Sequence, residues 1–146
     1  MIKKILVIDD SALMRRIFCD IINSDERFHV EDTATNGLEA LELLKKNTYD
    51  LVITDLMMPK MDGISFLKEL NKTDIRVKVV VISSFAKEDA SITIEALSLG
   101  AVDFLRKPAG ISDVKGEKFG GRLIRILEEV VSEDGRNVSR RHFPHT

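Results

Sequence analysis

Short apolar runs alternate with longer amphipathic stretches along this chain. The runs at 5–8 (Ile-Leu-Val-Ile), 51–53 and 79–82 are rich in Val and Ile and show no polar alternation. A weaker run lies at 101–105. Such runs fit strands buried on both faces of a parallel sheet. Residues 28–33 mix Phe28 and Val30 with polar positions, as an edge strand does.

The intervening stretches repeat at helical spacing. Leu13, Ile17, Ile21 and Ile22 form one stripe, with Asp10 or Ser11 as its N-cap. Leu38, Leu41 and Leu44 form a second after Asn36-Gly37. Ile64, Leu67 and Leu70 form a third, opened by Asp62-Gly63. Ile92, Ala96 and Leu99 form a fourth, stopped by Gly100. Leu123, Leu127, Val130 and Val131 form a fifth. The order is βα repeated five times. It predicts an α/β domain with a five-stranded, doubly wound parallel sheet of order 2-1-3-4-5 (flavodoxin-like) and helices on both faces. Residues 109–120 are the one irregular insertion. The domain is expected to occupy 1–131, with 132–146 a polar linker or tail.

Composition narrows the class. The 146 residues suit one domain. Hydrophobic residues make up 44% and charged residues 32%, values that exclude a disordered chain and a membrane protein. No apolar run approaches the ~20 residues of a membrane span. The net charge of -2 argues against a nucleic-acid partner. The tail is locally basic, with Arg136, Arg140 and Arg141 against Asp134. Cys19 is the single cysteine and falls among apolar positions, so a buried, inert thiol is expected. No leader precedes the first strand, and the expected setting is cytoplasmic.

Ligands of open α/β sheets bind beyond the carboxyl ends of the strands. Asp9 and Asp10 follow the first run, Asp55 the third, Ser83 and Ser84 the fourth, and Lys107-Pro108 the fifth. Each has a plainer role when taken alone: turn, helix cap or strand terminator. Their joint delivery to one rim argues for a site. Three carboxylates in one crevice repel one another, and a hard divalent cation relieves the repulsion. Mg²⁺ takes one or two carboxylates, waters and phosphate oxygens. Asp10 and Asp55 are candidate direct ligands, Asp9 a ligand through water, and the Met57 carbonyl a further donor. Asp55, alone at the central strand end, is the candidate nucleophile for an aspartyl-phosphate. Lys107 and Ser83 are the candidate partners of the phosphoryl oxygens.

The segments VIDDSALMRR, VITDLMMPKMDG, VVISS and FLRKP, in this order and spacing, resemble a response-regulator receiver domain. The resemblance implies that Asp55 accepts a phosphoryl group from a sensor histidine kinase. It implies that Asp9, Asp10, Asp55 and the Met57 carbonyl serve Mg²⁺, and that Lys107 and Ser83 contact the phosphoryl group. It further implies a cis Lys107-Pro108 bond, an isomer found in ~5–6% of X-Pro bonds. Phe104 stands at the family's switch-aromatic position and would move with Ser83; ordinary core packing is the alternative.

The segments SALMRRIFCDIINSD and VVISSFAKEDASITIEALSLGAVDFLRKP resemble, within that family, the receiver of the chemotaxis protein-glutamate methylesterase. There a catalytic domain follows the receiver, which inhibits it until phosphorylated. The resemblance implies a chemotaxis-type kinase and a methylesterase effector in cis. This chain is itself expected to be regulatory and not an enzyme: 109–146 holds no Gly-x-Ser-x-Gly-like segment, and His29, His142 and His145 form no credible triad. The alternatives are a stand-alone receiver or adaptor and, lower, a Mg²⁺-dependent aspartyl-phosphate phosphatase. Such phosphatases usually carry a second acid two residues after the nucleophile, where Met57 stands. Met57 and Phe85, both large and apolar, would obstruct hydrolytic water, so a phosphorylated lifetime of minutes or longer is expected.

Overall fold

Strands and helices alternate in the computed structural model, which describes residues 1–84, 88–108 and 118–132. The order is β1 (Lys3–Ile8), α1 (Ala12–Asn23), β2 (Phe28–Ala34), α2 (Gly37–Lys46), β3 (Leu51–Asp55), α3 (Gly63–Asn71), β4 (Lys78–Ser83), α4 (Glu88–Ser98), β5 (Asp103–Arg106) and α5 (Lys118–Ser132). The sheet runs β2-β1-β3-β4-β5, and every pairing is parallel. This is the expected doubly wound order.

The apolar runs lack alternation because both faces of the sheet are covered. Ile5, Val7, Leu51, Ile53, Val80 and Ile82 pack toward α1 and α5. Leu6, Ile8, Val52, Val79 and Val81 pack toward α2, α3 and α4. Adjacent residues on one strand thus feed two separate core layers.

The helix starts are capped as their sequences direct. The Ser11 hydroxyl accepts the Met14 N–H at 3.2 Å, so Ser11 and not Asp10 is the N-cap of α1. Asn36 accepts the Glu39 N–H at 3.0 Å, while the Glu39 carboxylate accepts the Thr35 N–H at 2.7 Å. Asp62 accepts the Ser65 N–H at 2.8 Å. Such caps satisfy amides that have no partner inside the helix. Gly100, with φ 111°, ends α4 in a conformation that side chains disfavour.

Several expectations need correction. Leu13 and Leu38 point to solvent, at 67% and 48% exposure. Each lies in the first turn of its helix on the side away from the core, while Met14 and Gly37 of the same turns are the inward positions. The buried stripe of α1 runs through Phe18 and Ile22, flanked by Met14, Ile17 and Ile21. That of α2 runs through Gly37, Ala40, Leu41 and Leu44. Phe18, Phe66 and Phe119 fill the core beside the aliphatic stripes. Cys19 is half-buried, and burial first, then Asp20, pushes its thiol up.

No cis peptide bond occurs among the described residues, so Lys107-Pro108 is trans. The tertiary amide favours trans by about 0.5–1 kcal/mol. In that geometry the Lys107 N–H still reaches the Ser83 carbonyl at 2.7 Å. Phe85, residues 109–117 of the insertion expected at 109–120, and His142 and His145 of the tail lie outside the described residues; residues 118–120 of that expected insertion instead form the first turn of α5. Among the described residues, no helix is long and apolar enough to cross a membrane.

Candidate functional site

The carboxyl ends of β1, β3, β4 and β5 meet at one rim. β1 ends at Ile8, so the chain leaves the sheet at Asp9 and Asp10. β3 ends on Asp55 itself. Asp9 is fully buried, Asp55 is buried, and Asp10 is exposed. One carboxylate oxygen from each lies within 4.8 Å of the others. The expected cluster of three acids is therefore assembled.

The arrangement is electrostatically unbalanced. Asp9 Oδ1 accepts the Ser11 N–H at 2.9 Å, while its Oδ2 is buried without a hydrogen-bond partner among the described residues. Burial pushes the Asp9 carboxyl from 3.8 to about 6. The Ser11 amide opposes this shift, the Asp55 charge adds to it, Lys107 opposes it and Asp10 adds a little. A buried oxygen with no donor among the described residues, on a carboxylate clustered with two others, fits a hard cation. The donor set is all oxygen, as Mg²⁺ requires.

Lys107 Nζ donates to Asp55 Oδ2 at 2.9 Å. Burial alone would lower its ammonium pKa. The Asp55 hydrogen bond and the charges of Asp55, Asp9 and Asp10 outweigh burial and raise it. The amine is thus held charged beside Asp55. The Lys107 backbone is fixed by its bond to Ser83, so β4 and β5 deliver their site residues together. The Met57 N–H lies 3.3 Å from Asp55 Oδ1, and the Met57 side chain is 55% exposed.

Ser83 is buried. It lines a cavity of about 200 Å³ with Thr93, Ile94, Leu97 and Phe104. Phe104 lies at the surface, at 38% exposure, so the core-packing alternative does not hold for it.

Sequence reading missed three features of this rim. Arg15 Nη1 donates to the Asp9 carbonyl at 2.7 Å. Gly63 brings α3 against β3, where a Cβ would lie 2.7 Å from the Asp55 carbonyl oxygen. Lys60 adopts φ 67°, an uncommon conformation for a side chain other than glycine. The glycine signal was readable in Asp62-Gly63. The choice of Arg15 over Arg16 was not, because it depends on the helix phase. Arg16 points outward, 3.8 Å from Asp20.

Comparison with known proteins places this geometry in context. The family model described as the response regulator receiver domain matches residues 5–117. A protein-glutamate methylesterase/protein-glutamine glutaminase of Treponema denticola is 45% identical over 124 residues, covering 85% of this chain and 33% of that protein. The chain thus spans about a third of the length of that relative. The response regulator domain of Thermotoga maritima CheB aligns with a TM-score of 0.78 and 36% identity, covering 88% of this chain and 96% of that one. A CheX-CheY-BeF3-Mg²⁺ complex from Borrelia burgdorferi aligns with a TM-score of 0.74 and 30% identity, covering 88% and 89%.

Proposed function

The chain belongs to the response regulator receiver domain family, and from that premise we propose that Asp55 is its phosphoacceptor. One Asp55 oxygen attacks the phosphorus of a phosphohistidine on a chemotaxis-type sensor kinase. The O–P bond forms as the P–N bond breaks, and the imidazole leaves. The observation that carries this reading is the cluster of Asp9, Asp10 and Asp55, with Lys107 Nζ 2.9 Å from the Asp55 carboxylate. Lys107 passes from the Asp55 oxygen to a phosphoryl oxygen, and the Ser83 hydroxyl donates to another. Asp9, Asp10, Asp55 and the Met57 carbonyl would hold Mg²⁺, which offsets the negative charge of the transferred group.

The output is regulatory. Ser83 and Phe104 line one cavity. Recruitment of Ser83 by the phosphoryl group therefore frees space for the ring and biases the face made by α4, β5 and α5. We assign the receiver to 1–131 and read 132–146 as the connection to an effector. Similarity to the Treponema protein favours a protein-glutamate methylesterase in cis as that effector. The same reading sets the chain in the cytoplasm.

The test uses acetyl phosphate, Mg²⁺ and intact-mass measurement. One added phosphoryl group is expected, and none when Mg²⁺ is chelated beforehand or in Asp55→Ala. Retention of the group in Asp55→Ala would overturn the assignment.

A further inference from the structure

The turn between β1 and α1 is closed by three interactions. Asp9 Oδ1 accepts the Ser11 amide, and the Ser11 hydroxyl accepts the Met14 amide. The third comes from Arg15. Its backbone N–H bonds the Ser11 carbonyl at 3.0 Å, as the first turn of α1 requires. Its half-buried side chain turns back, and Nη1 donates to the Asp9 carbonyl at 2.7 Å.

That carbonyl needs a donor. The β1–β3 register ends at Ile8 and Thr54, so Asp9 lies one residue beyond the ladder. Its own N–H is satisfied by the Ala34 carbonyl on β2, at 3.0 Å. Asp9 is fully buried. A buried carbonyl left bare costs about 1–3 kcal/mol, and the guanidinium removes that cost. The bond also fixes the peptide plane joining Asp9 to Asp10. Both acids leave the backbone next to that plane, so its orientation sets where their carboxylates point.

We propose that Arg15 is a positioning residue for the Mg²⁺ site, holding the Asp9-Asp10 turn in its ligating shape through the Asp9 carbonyl. The proposal rests on the metal-site reading given above. Partners of this kind, one shell out from the ligands, typically contribute 10–100-fold in metal affinity. The charge of Arg15 works in the opposite direction. A cation near three carboxylates disfavours a second cation by Coulomb repulsion. Loss of the arginine therefore weakens Mg²⁺ binding if positioning dominates, and tightens it if charge dominates.

The experiment is a calorimetric Mg²⁺ titration of the metal-free chain, its Arg15→Met variant and its Arg15→Lys variant, with urea stability measured alongside. Wild type is expected to bind saturably. Arg15→Met is expected to bind about tenfold more weakly. Arg15→Lys, which keeps a donor of similar reach, is expected to recover most of the loss. Faster hydrogen exchange at the Ser11 amide of metal-free Arg15→Met would add a readout independent of the metal. If Arg15→Met fails to fold, Arg15→Gln, too short to reach the carbonyl, takes its place. Unchanged or tighter binding in the variant, or equal weakness in Met and Lys, overturns the proposal and leaves the site reading intact. Absence of saturable binding in wild type overturns the site reading first.

Discussion

Asp9 shows what one buried oxygen does to a fold. Its folded pKa of about 6 stands above the ordinary 3.8, so folding favours the protonated acid. The stability tied to Asp9 is fully present below about pH 4 and is lost as pH rises through about 6. In the metal-free chain, Asp9→Asn removes this penalty. We expect a gain on the order of 2 kcal/mol at pH 7 and almost none at pH 4. Urea unfolding in chelator at the two pH values measures it, and a loss of stability at pH 7 would contradict the account. The acids, Ser83 and Lys107 were legible at this scale because they follow apolar runs, and a buried strand fixes where its next residue emerges. Arg15 was not: Arg15 and Arg16 differ only in the face of α1 they occupy, and the apolar stripe chosen for that helix included the outward Leu13.

At the scale of elements, close approach matters more than propensity. A Cβ on Gly63 would stand 2.7 Å from the Asp55 carbonyl oxygen and 2.9 Å from Leu56 Cα, both backbone atoms. The Gly63 N–H also donates to the Leu56 carbonyl at 2.9 Å. Helix α3 thus starts directly on the end of β3. Gly63→Ala must push the two apart, at a cost of roughly 1–3 kcal/mol. The shift moves Asp55, so phosphorylation from acetyl phosphate should slow with it. A variant with unchanged urea midpoint and unchanged rate would remove the close-approach argument. The strands were readable here because a doubly covered sheet leaves a continuous apolar run. The helix faces were less so. Counting leucines favoured Leu13 and Leu38, whereas burial favoured Phe18 and Phe66, whose size fills the space between helix and sheet.

Across the molecule, the sheet separates two core layers that share no side chain among the described residues. The sheet order was legible because right-handed crossovers leave few ways to wind five βα units. The Ser83 cavity is lined by residues of β4, α4 and β5, with Ser84 between them. β2 and α2 lie at the far edge of the sheet. Phosphorylation should therefore alter hydrogen exchange in α4 and β5 and leave β2 and α2 unchanged. Exchange mass spectrometry with and without acetyl phosphate and Mg²⁺ resolves this. An even change across the sheet, or one confined to β2, would count against a directed output.

Strand β4 begins at Lys78 and ends at Ser83, a span of about 17 Å from first to last Cα. At its near end, the Lys78 ammonium donates to the Val130 carbonyl in the last turn of α5, at 2.9 Å. One extended segment therefore moors the helix leading into the tail and also carries the hydroxyl proposed to meet the phosphoryl group. An extended backbone resists stretching far more than a loop does. β4 thus links the last turn of α5 to the Ser83 end of the rim along one unbroken strand, beside the contacts of Phe119, Leu123 and Leu127 that seat α5 on the sheet.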